Sequence, residues 1–468
     1  MKHIAYIGII LTIFTTISCG EDRSGEFYAL IEDRMWMEET MRKNYLWYEE
    51  IPSIEDENDY FQAPSTFFKN MLSKKALNGK GDIYSYIEET ILAEEESRSF
   101  TLNRTSTYGM EFELTNDPTG TTNHTFARIL YVLPNSPAEK AGIQRGDWIT
   151  AINQDRITSD NYKLLMSGGQ ASWVRGELTS SENGIAWLAK DTLQITPSIP
   201  MEINPFLIDT VYQHQGKKIA YLVYNEFSTG PSNNGLETTY QEQMKQIFAK
   251  FKSESPDAFI LDLRYNNGGF LNCAQILGSL IAPKSALGKN FIHLTRNDLT
   301  DPQTISYPFD NTYADANLDL DRIYILTGSM TASSSEAVIN GLIPYMGNEN
   351  VVLIGSQTTG KKVAISAFKN ETFGLTLWPV VAYISNAANE SNYENGFTPQ
   401  YPLDENNLLH WMPLGNLDEF YLKNTLSLIT TGTMTDIAET EEATIKAHYN
   451  SIKVKNNKGA IINVINKR

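Results

Sequence analysis

The chain has 468 residues, 41 % hydrophobic and 11 % aromatic, with a formal net charge of -18. That length predicts two or three domains, and the apolar content can fill their cores, so a largely disordered chain is excluded. The acidic balance weighs against nucleic acid or an anionic membrane surface as partners, because both reward basic patches.

Met1-Lys2-His3 is a basic start, and Ile4 to Ile17 is an apolar run of signal-peptide length, too short for an ordinary membrane span. It ends at Thr16-Ile17-Ser18-Cys19, a cysteine directly after a small residue. This end resembles the lipobox of bacterial lipoproteins, with Thr16 where Leu or Val is usual. The resemblance implies acylation of Cys19 and a lipid-anchored place in the bacterial cell envelope, at the outer membrane or periplasmic face. Plain secretion, with Cys19 lost in the leader, is the alternative. The other cysteine, Cys273, sits in the apolar stretch FLNCAQILGSLI and reads as a buried small hydrophobe, so no internal disulfide is expected.

Residues 1–19 thus form a signal segment, and 20–100 an N-terminal helical region. Phe27, Leu30, Ile31, Met35, Met41, Tyr45 and Leu46 recur at helical spacing, predicting a helix from Glu26 to about Ile51, closed by Pro52. A second helix is expected from Thr66 to Leu77, stopped by Asn78-Gly79. The run Glu94-Glu95-Glu96 reads as a solvated face or linker.

Residues 101–200 change to short strands and turns. In SPAEKAGIQRGDWITAINQ (136–154), Pro137-Ala138 starts a short helix, Gly142 ends it, and Gly146-Asp147 turns into the strand Trp148 to Ile152. This stretch resembles a PDZ domain. The resemblance implies that YGMEFEL (108–114) holds the carboxylate-binding loop and the docking strand. Gly109, Met110, Glu111 and Phe112 are therefore the candidate peptide-binding residues.

From Lys217 strands and helices alternate: strand 218–227, helix 238–252, strand 258–264, helix 271–281, strand 322–328, helix 335–345, strand 350–355. Repeated βαβ units predict mainly parallel pairing with right-handed crossovers, in a core spanning 201–430 that ends on a helix at 417–429. The tail, 431–468, Lys-rich from Lys446, carries no structural signature.

Three short segments carry the chemistry. Ser333 of TASSSE (331–336) falls at the start of a helix, where free N–H groups favour developing negative charge; the same serines and threonine would also serve as ordinary helix caps. Lys361 of TTGKK (358–362) follows the next strand, so the two side chains can lie near the same end of adjacent strands. A lysine with its ordinary pKa of ~10.4 is a poor base, and burial must lower it towards ~7–8 before it can take a serine proton near neutrality. Lys362 is a rival. Gly268 and Gly269, in LDLRYNNGG (261–269), end a strand where the main chain can approach a substrate closely. One of them, with the N–H of Ser334, is a candidate pair of oxyanion donors.

A PDZ-like segment, then DLRxNxGG, then TASxSE, then GxxTxGK, in that order over residues 100 to 430, resembles the C-terminal processing (tail-specific) serine peptidases. The resemblance implies an α/β fold: a crotonase/ClpP-like peptidase core with a PDZ-like β-rich domain and a small N-terminal helical domain. It also implies a Ser–Lys dyad of Ser333 and Lys361 that cleaves polypeptides with free C-termini near those termini, with no cofactor and no metal. NYLWYEEIP (44–52) and DIYSYI (82–87) are similar to lipoprotein members from Bacteroidetes-type bacteria. Many members orient the lysine with a glutamine four residues on; here that position is Ile365, so the orientation must come from elsewhere. The segment between serine and lysine is also longer than usual, with 347–350 as the expected insertion.

Other readings rank lower. None of the six histidines lies in a motif suited to a triad. The acidic repeat at 315–321 lacks the glycine and distal acid of a calcium loop, with Leu320 and Leu326 in their places. A non-catalytic peptide-binding lipoprotein on a degenerate core is the alternative of a different class, but it has no need of Ser333, Lys361 and the glycine turn together. A glycan-binding surface lipoprotein has only the lipobox and the aromatic content in its favour.

Overall fold

The computed structural model describes residues 24–89, 106–182, 184–232, 235–435, 445–455 and 460–462. The signal segment with Cys19, and the run 94–96, lie outside the described residues.

The core is a six-stranded sheet in the order Phe206–His214, Lys217–Tyr224, Ala258–Asp262, Ile323–Thr327, Val351–Gly355, Tyr401–Pro402. Every neighbouring pair is parallel except the first, a hairpin. Side chains alternate across this sheet, as the period of a strand requires. Ala220, Leu222 and Leu261 face the helices Thr239–Glu254, Leu271–Ile281 and Ser334–Met346. Ile219, Tyr221 and Ile260 face the helix Phe420–Thr431. Covering on both faces explains why these strands read as continuous apolar runs.

The βαβ alternation therefore forms as predicted, within a residue or two at most boundaries. What the local pattern does not predict is a second six-stranded sheet, in the order Gly269–Phe270, Ala460–Ile461, Val363–Ile365, Val380–Asn386, Asn290–Arg296, Thr304–Pro308. Its first strand is two residues long, and its second comes from the C-terminal tail.

Two helix expectations need correction. The first helix runs Ser24–Asn44 rather than to Ile51, because the chain leaves it to dock: the Leu46 N–H donates to the Val380 carbonyl at 2.9 Å. The second is Pro64–Asn70 alone. Beyond it the Ser73 hydroxyl accepts the N–H groups of Lys75 and Ala76, and Leu77 and Asn78 turn left-handed with φ of 53° and 58°. That local capping by serine outcompetes the helix ladder.

The PDZ-like part pairs Met110–Asn116, Thr125–Val132, Trp148–Ile152, Ala171–Ser181 and Gly184–Ile195 around Phe112, Ile129, Ile149 and Trp173. The short helix Pro137–Lys140 forms as the spacing predicts, capped by the Ser136 hydroxyl, which accepts the Glu139 N–H at 3.0 Å. Gly109 has a φ of 79°, and a Cβ there would stand 2.2 Å from the Ser136 Cβ. No other residue fits that turn without moving the helix cap.

A buried ion cluster joins this domain to the core. Arg264, at the start of the glycine turn, contacts Asp262 at 2.9 Å, Glu419 at 2.7 Å and Glu405 at 3.1 Å. Arg145 of the PDZ-like part reaches the same Glu405 at 2.5 Å. Removing one member leaves buried charge uncompensated. An Arg264→Met variant is expected to lose about 3–5 kcal/mol of stability in urea unfolding; a loss within experimental error would show the cluster to be self-compensating without it.

Candidate active site

Hydrogen bonds pull the three sequence segments into one place. The Thr331 hydroxyl donates to the Leu263 carbonyl at 2.8 Å, the Ala332 N–H to the Asn266 carbonyl at 3.1 Å, and the Ser334 hydroxyl to the Gly269 carbonyl at 2.7 Å. On the other side, the Thr359 N–H donates to the Thr331 carbonyl at 3.0 Å. The glycine turn, the serine turn and the lysine turn are thus laced together at the ends of adjacent parallel strands.

Glu336 is the knot of this lacing. It is fully buried, and its Oε2 accepts the main-chain N–H of both Ser333 and Lys361, each at 2.8 Å. Its Oε1 accepts the Gly360 N–H and the Thr358 hydroxyl, each at 2.6 Å. Burial pushes its carboxyl above the usual range, and these four donors pull it back. Because one oxygen holds both N–H groups, the main chains of Ser333 and Lys361 are fixed against each other.

Ser333 immediately precedes its helix and has φ 61° and ψ -108°, a left-handed conformation that costs a non-glycine residue of order 1–3 kcal/mol. Such strain persists only where the surroundings enforce it. Gly268 makes room for this turn: a Cβ there would lie 3.0 Å from the Ser333 Cβ and 3.2 Å from the Ser334 nitrogen. The Gly268 N–H itself donates to the Asn266 side chain at 2.9 Å.

Lys361 is 4 % exposed, and its Nζ lies 4.5 Å from the centre of the Tyr84 ring. Burial pushes its amine down to about 8, against the opposing pull of Asp82 and Glu336. Asp82 is itself held by the Tyr45 hydroxyl at 2.8 Å and the Tyr84 N–H at 2.9 Å. Lys362 points elsewhere, donating to the Ser391 carbonyl and facing Glu394 at 3.4 Å. Ile365, where a glutamine is usual, is buried in the second sheet. Cys273 is buried with its thiol pushed up to about 12, the behaviour of the structural residue expected. Two of the histidines bond away from this region, His124 to Arg156 and His293 to Ser306.

Four residues at this site were not singled out for a role by sequence reasoning. Glu336 is in the TASSSE segment but read only as a motif position, and Asp82 and Tyr84 are in DIYSYI, which carried only a family likeness. The fourth is Ala460, whose N–H donates to the Ser333 hydroxyl oxygen at 2.5 Å; nothing local to a Lys- and Asn-rich tail announces it. Of the PDZ-like loop, the Gly109 N–H donates to the Thr107 hydroxyl and the Phe112 N–H to the Ser451 hydroxyl. Met110 and Glu111 pair with Val132 and Tyr131 across the sheet.

Comparison with known proteins places this geometry in a family. Residues 218–403 match peptidase family S41, residues 34–86 the peptidase S41 N-terminal domain, and residues 128–166 a PDZ domain. A solved structure from Bacteroides fragilis designated an S41 protease is 32 % identical with a TM-score of 0.74, covering 85 % of this chain and 97 % of its own. Carboxyl-terminal-processing proteases of Synechocystis and Picosynechococcus are 25 % and 27 % identical over 63 % and 52 % of this chain. The chain spans 65 % and 52 % of those two relatives' lengths. On these likenesses, and on the order and meeting of its three motifs, the chain belongs to peptidase family S41.

Proposed function

We propose that the chain is a serine endopeptidase that cleaves polypeptides near their C-termini with Ser333 as nucleophile and Lys361 as general base. The observation that carries this reading is the pairing of a strained, helix-leading serine with a buried lysine through one carboxylate. The neutral Lys361 amine takes the Ser333 proton as the oxygen attacks the scissile carbonyl carbon. The resulting oxyanion is met by the N–H of Ser334 and that of Gly269, since the Gly268 N–H is engaged by Asn266. The ammonium then returns its proton to the leaving nitrogen, and water, activated by the same amine, hydrolyses the acyl-enzyme.

In this reading Glu336 supplies the orientation that a glutamine at position 365 would otherwise give, acting through the main chain of the lysine. Substrate tails add as a strand along Met110–Asn116, with Gly109 to Phe112 at the carboxylate end. A non-catalytic peptide-binding role gains no support from a lysine buried this deeply beside the serine turn.

Ser333→Ala is expected to abolish cleavage of an unstructured peptide, and Lys361→Ala to reduce kcat/KM by ~10²-fold or more, while Lys362→Ala stays within a few-fold. If Lys362→Ala is the damaging change, the base is misassigned. A base must be deprotonated to act, so kcat/KM should rise with pH through about 8. Asp82→Asn removes a charge that favours the ammonium, so this limb should move to lower pH; an alkaline shift would contradict the assignment. Converting the substrate's terminal carboxylate to an amide should lower kcat/KM, and equal values for both forms would remove carboxylate capture from the mechanism.

A further inference from the structure

The C-terminal segment lies on both surfaces that the proposed function assigns to substrate. Ala447–Asn450 pairs antiparallel with the docking strand, matching Ala447 to Thr115, Tyr449 to Leu114 and Asn450 to Glu113. It runs towards Gly109, the polarity of a docked peptide. The Tyr449 ring lies 4.6 Å from that of Tyr162 and 6.0 Å from that of Phe112. The fully buried Ser451 hydroxyl accepts the Phe112 N–H at 2.9 Å and donates to Glu111 at 2.5 Å.

Ala460 and Ile461 then form a strand between Gly269–Phe270 and Val363–Ile365, parallel to both. The Ile462 N–H donates to the Ile365 carbonyl at 3.0 Å. Ala460 and Ile461 are 0 % and 5 % exposed, and Ser333 beneath them is 0 % exposed. The Ala460 N–H donates to the Ser333 oxygen itself, engaging one of its lone pairs and placing the tail's main chain directly against it.

We propose that residues 447–455 and 460–462 are an intramolecular inhibitor that fills docking groove and cleft together, so that substrate enters only when this segment leaves. An extended peptide at Ser333 would need the same edges of Gly269–Phe270 and Val363–Ile365, and each edge pairs with one strand at a time. The order of the two contacts separates this segment from a substrate. A peptide docked by its tail offers a bond on the N-terminal side of the docked residues, whereas Ala460 lies on the C-terminal side of Ala447–Asn450. The segment plugs the site without presenting itself as a processed tail.

The inference rests on Ser333 being the nucleophile, and the test separates the two claims. Wild-type chain and the full-length variants Ile461→Asp and Ala460→Pro are treated with a fluorophosphonate, and Ser333 labelling is followed by peptide mass. Matched thermal unfolding confirms that each is folded. Ile461→Asp puts a carboxylate where the strand is buried, and Ala460→Pro removes the N–H that meets the serine. With the open form a minor state of about one-tenth or less, both variants should label, and cleave peptide, about ten-fold faster or more. Equal labelling of Ser333 in all three chains overturns the inhibitor and leaves the nucleophile standing. Folded chains that never label, the two variants included, overturn the nucleophile and the inhibitor with it. A wild-type mass lacking residues 460–468 also overturns it, because the segment would then be a substrate.

Discussion

A single buried carboxylate organises this molecule's chemistry. Glu336 is reached by four donors from two turns that follow different strands, and one of its oxygens is shared by the main-chain N–H groups of Ser333 and Lys361. Burying a carboxylate is unfavourable unless its acceptor sites are filled, so the four donors and the acid require one another. The arrangement fixes two turns against each other without using the side chain of either Ser333 or Lys361. Ser333 can then hold a left-handed conformation, because the helix behind it and Gly268 before it leave the turn no easier path.

A second buried cluster does for the domains what Glu336 does for the loops. Arg264 follows the strand that leads into the glycine turn, and Arg145 lies in the PDZ-like part, yet both converge on Glu405. The Trp411 ring lies 4.5 Å from the Arg145 guanidinium and 3.7 Å from that of Arg128. Desolvation offsets much of the attraction between charges buried this deeply, so the cluster's net gain is small while the loss of any one member is costly. The PDZ-like part is thereby held in fixed relation to the turn that carries Gly268 and Gly269.

Much of this was legible in the sequence, for physical reasons. The strands of the parallel sheet are covered on both faces, so they are continuous apolar runs, and the helix Leu271–Ile281 is marked by composition alone. The three chemical segments were visible because turns at strand ends need particular residues. What escaped was non-local. The helix expected from Thr66 to Leu77 failed because one hydroxyl, Ser73, recaps the main chain. The second sheet escaped because its strands are two to seven residues long and drawn from distant places, including a polar tail. The lysine's setting escaped because Asp82 and Tyr84 sit far from it in sequence and reach it only through tertiary packing.

That last contact has a consequence for how the protein is assembled. The groups over Lys361 come from the N-terminal region, where Tyr45, leaving the first helix, holds Asp82 in place and Tyr84 covers the amine. The peptidase core supplies the lysine, and a segment more than 270 positions earlier in the chain supplies a ring against its amine and, in Asp82, a carboxylate that opposes the lowering by burial. An undocked N-terminal region would take the Tyr84 ring, which helps cover the amine, and the Asp82 carboxylate, which favours the ammonium, away from Lys361 together. The surroundings of Lys361 are therefore completed by tertiary assembly and not by local sequence, because the ring and the carboxylate that act on its amine arrive from a distant part of the chain.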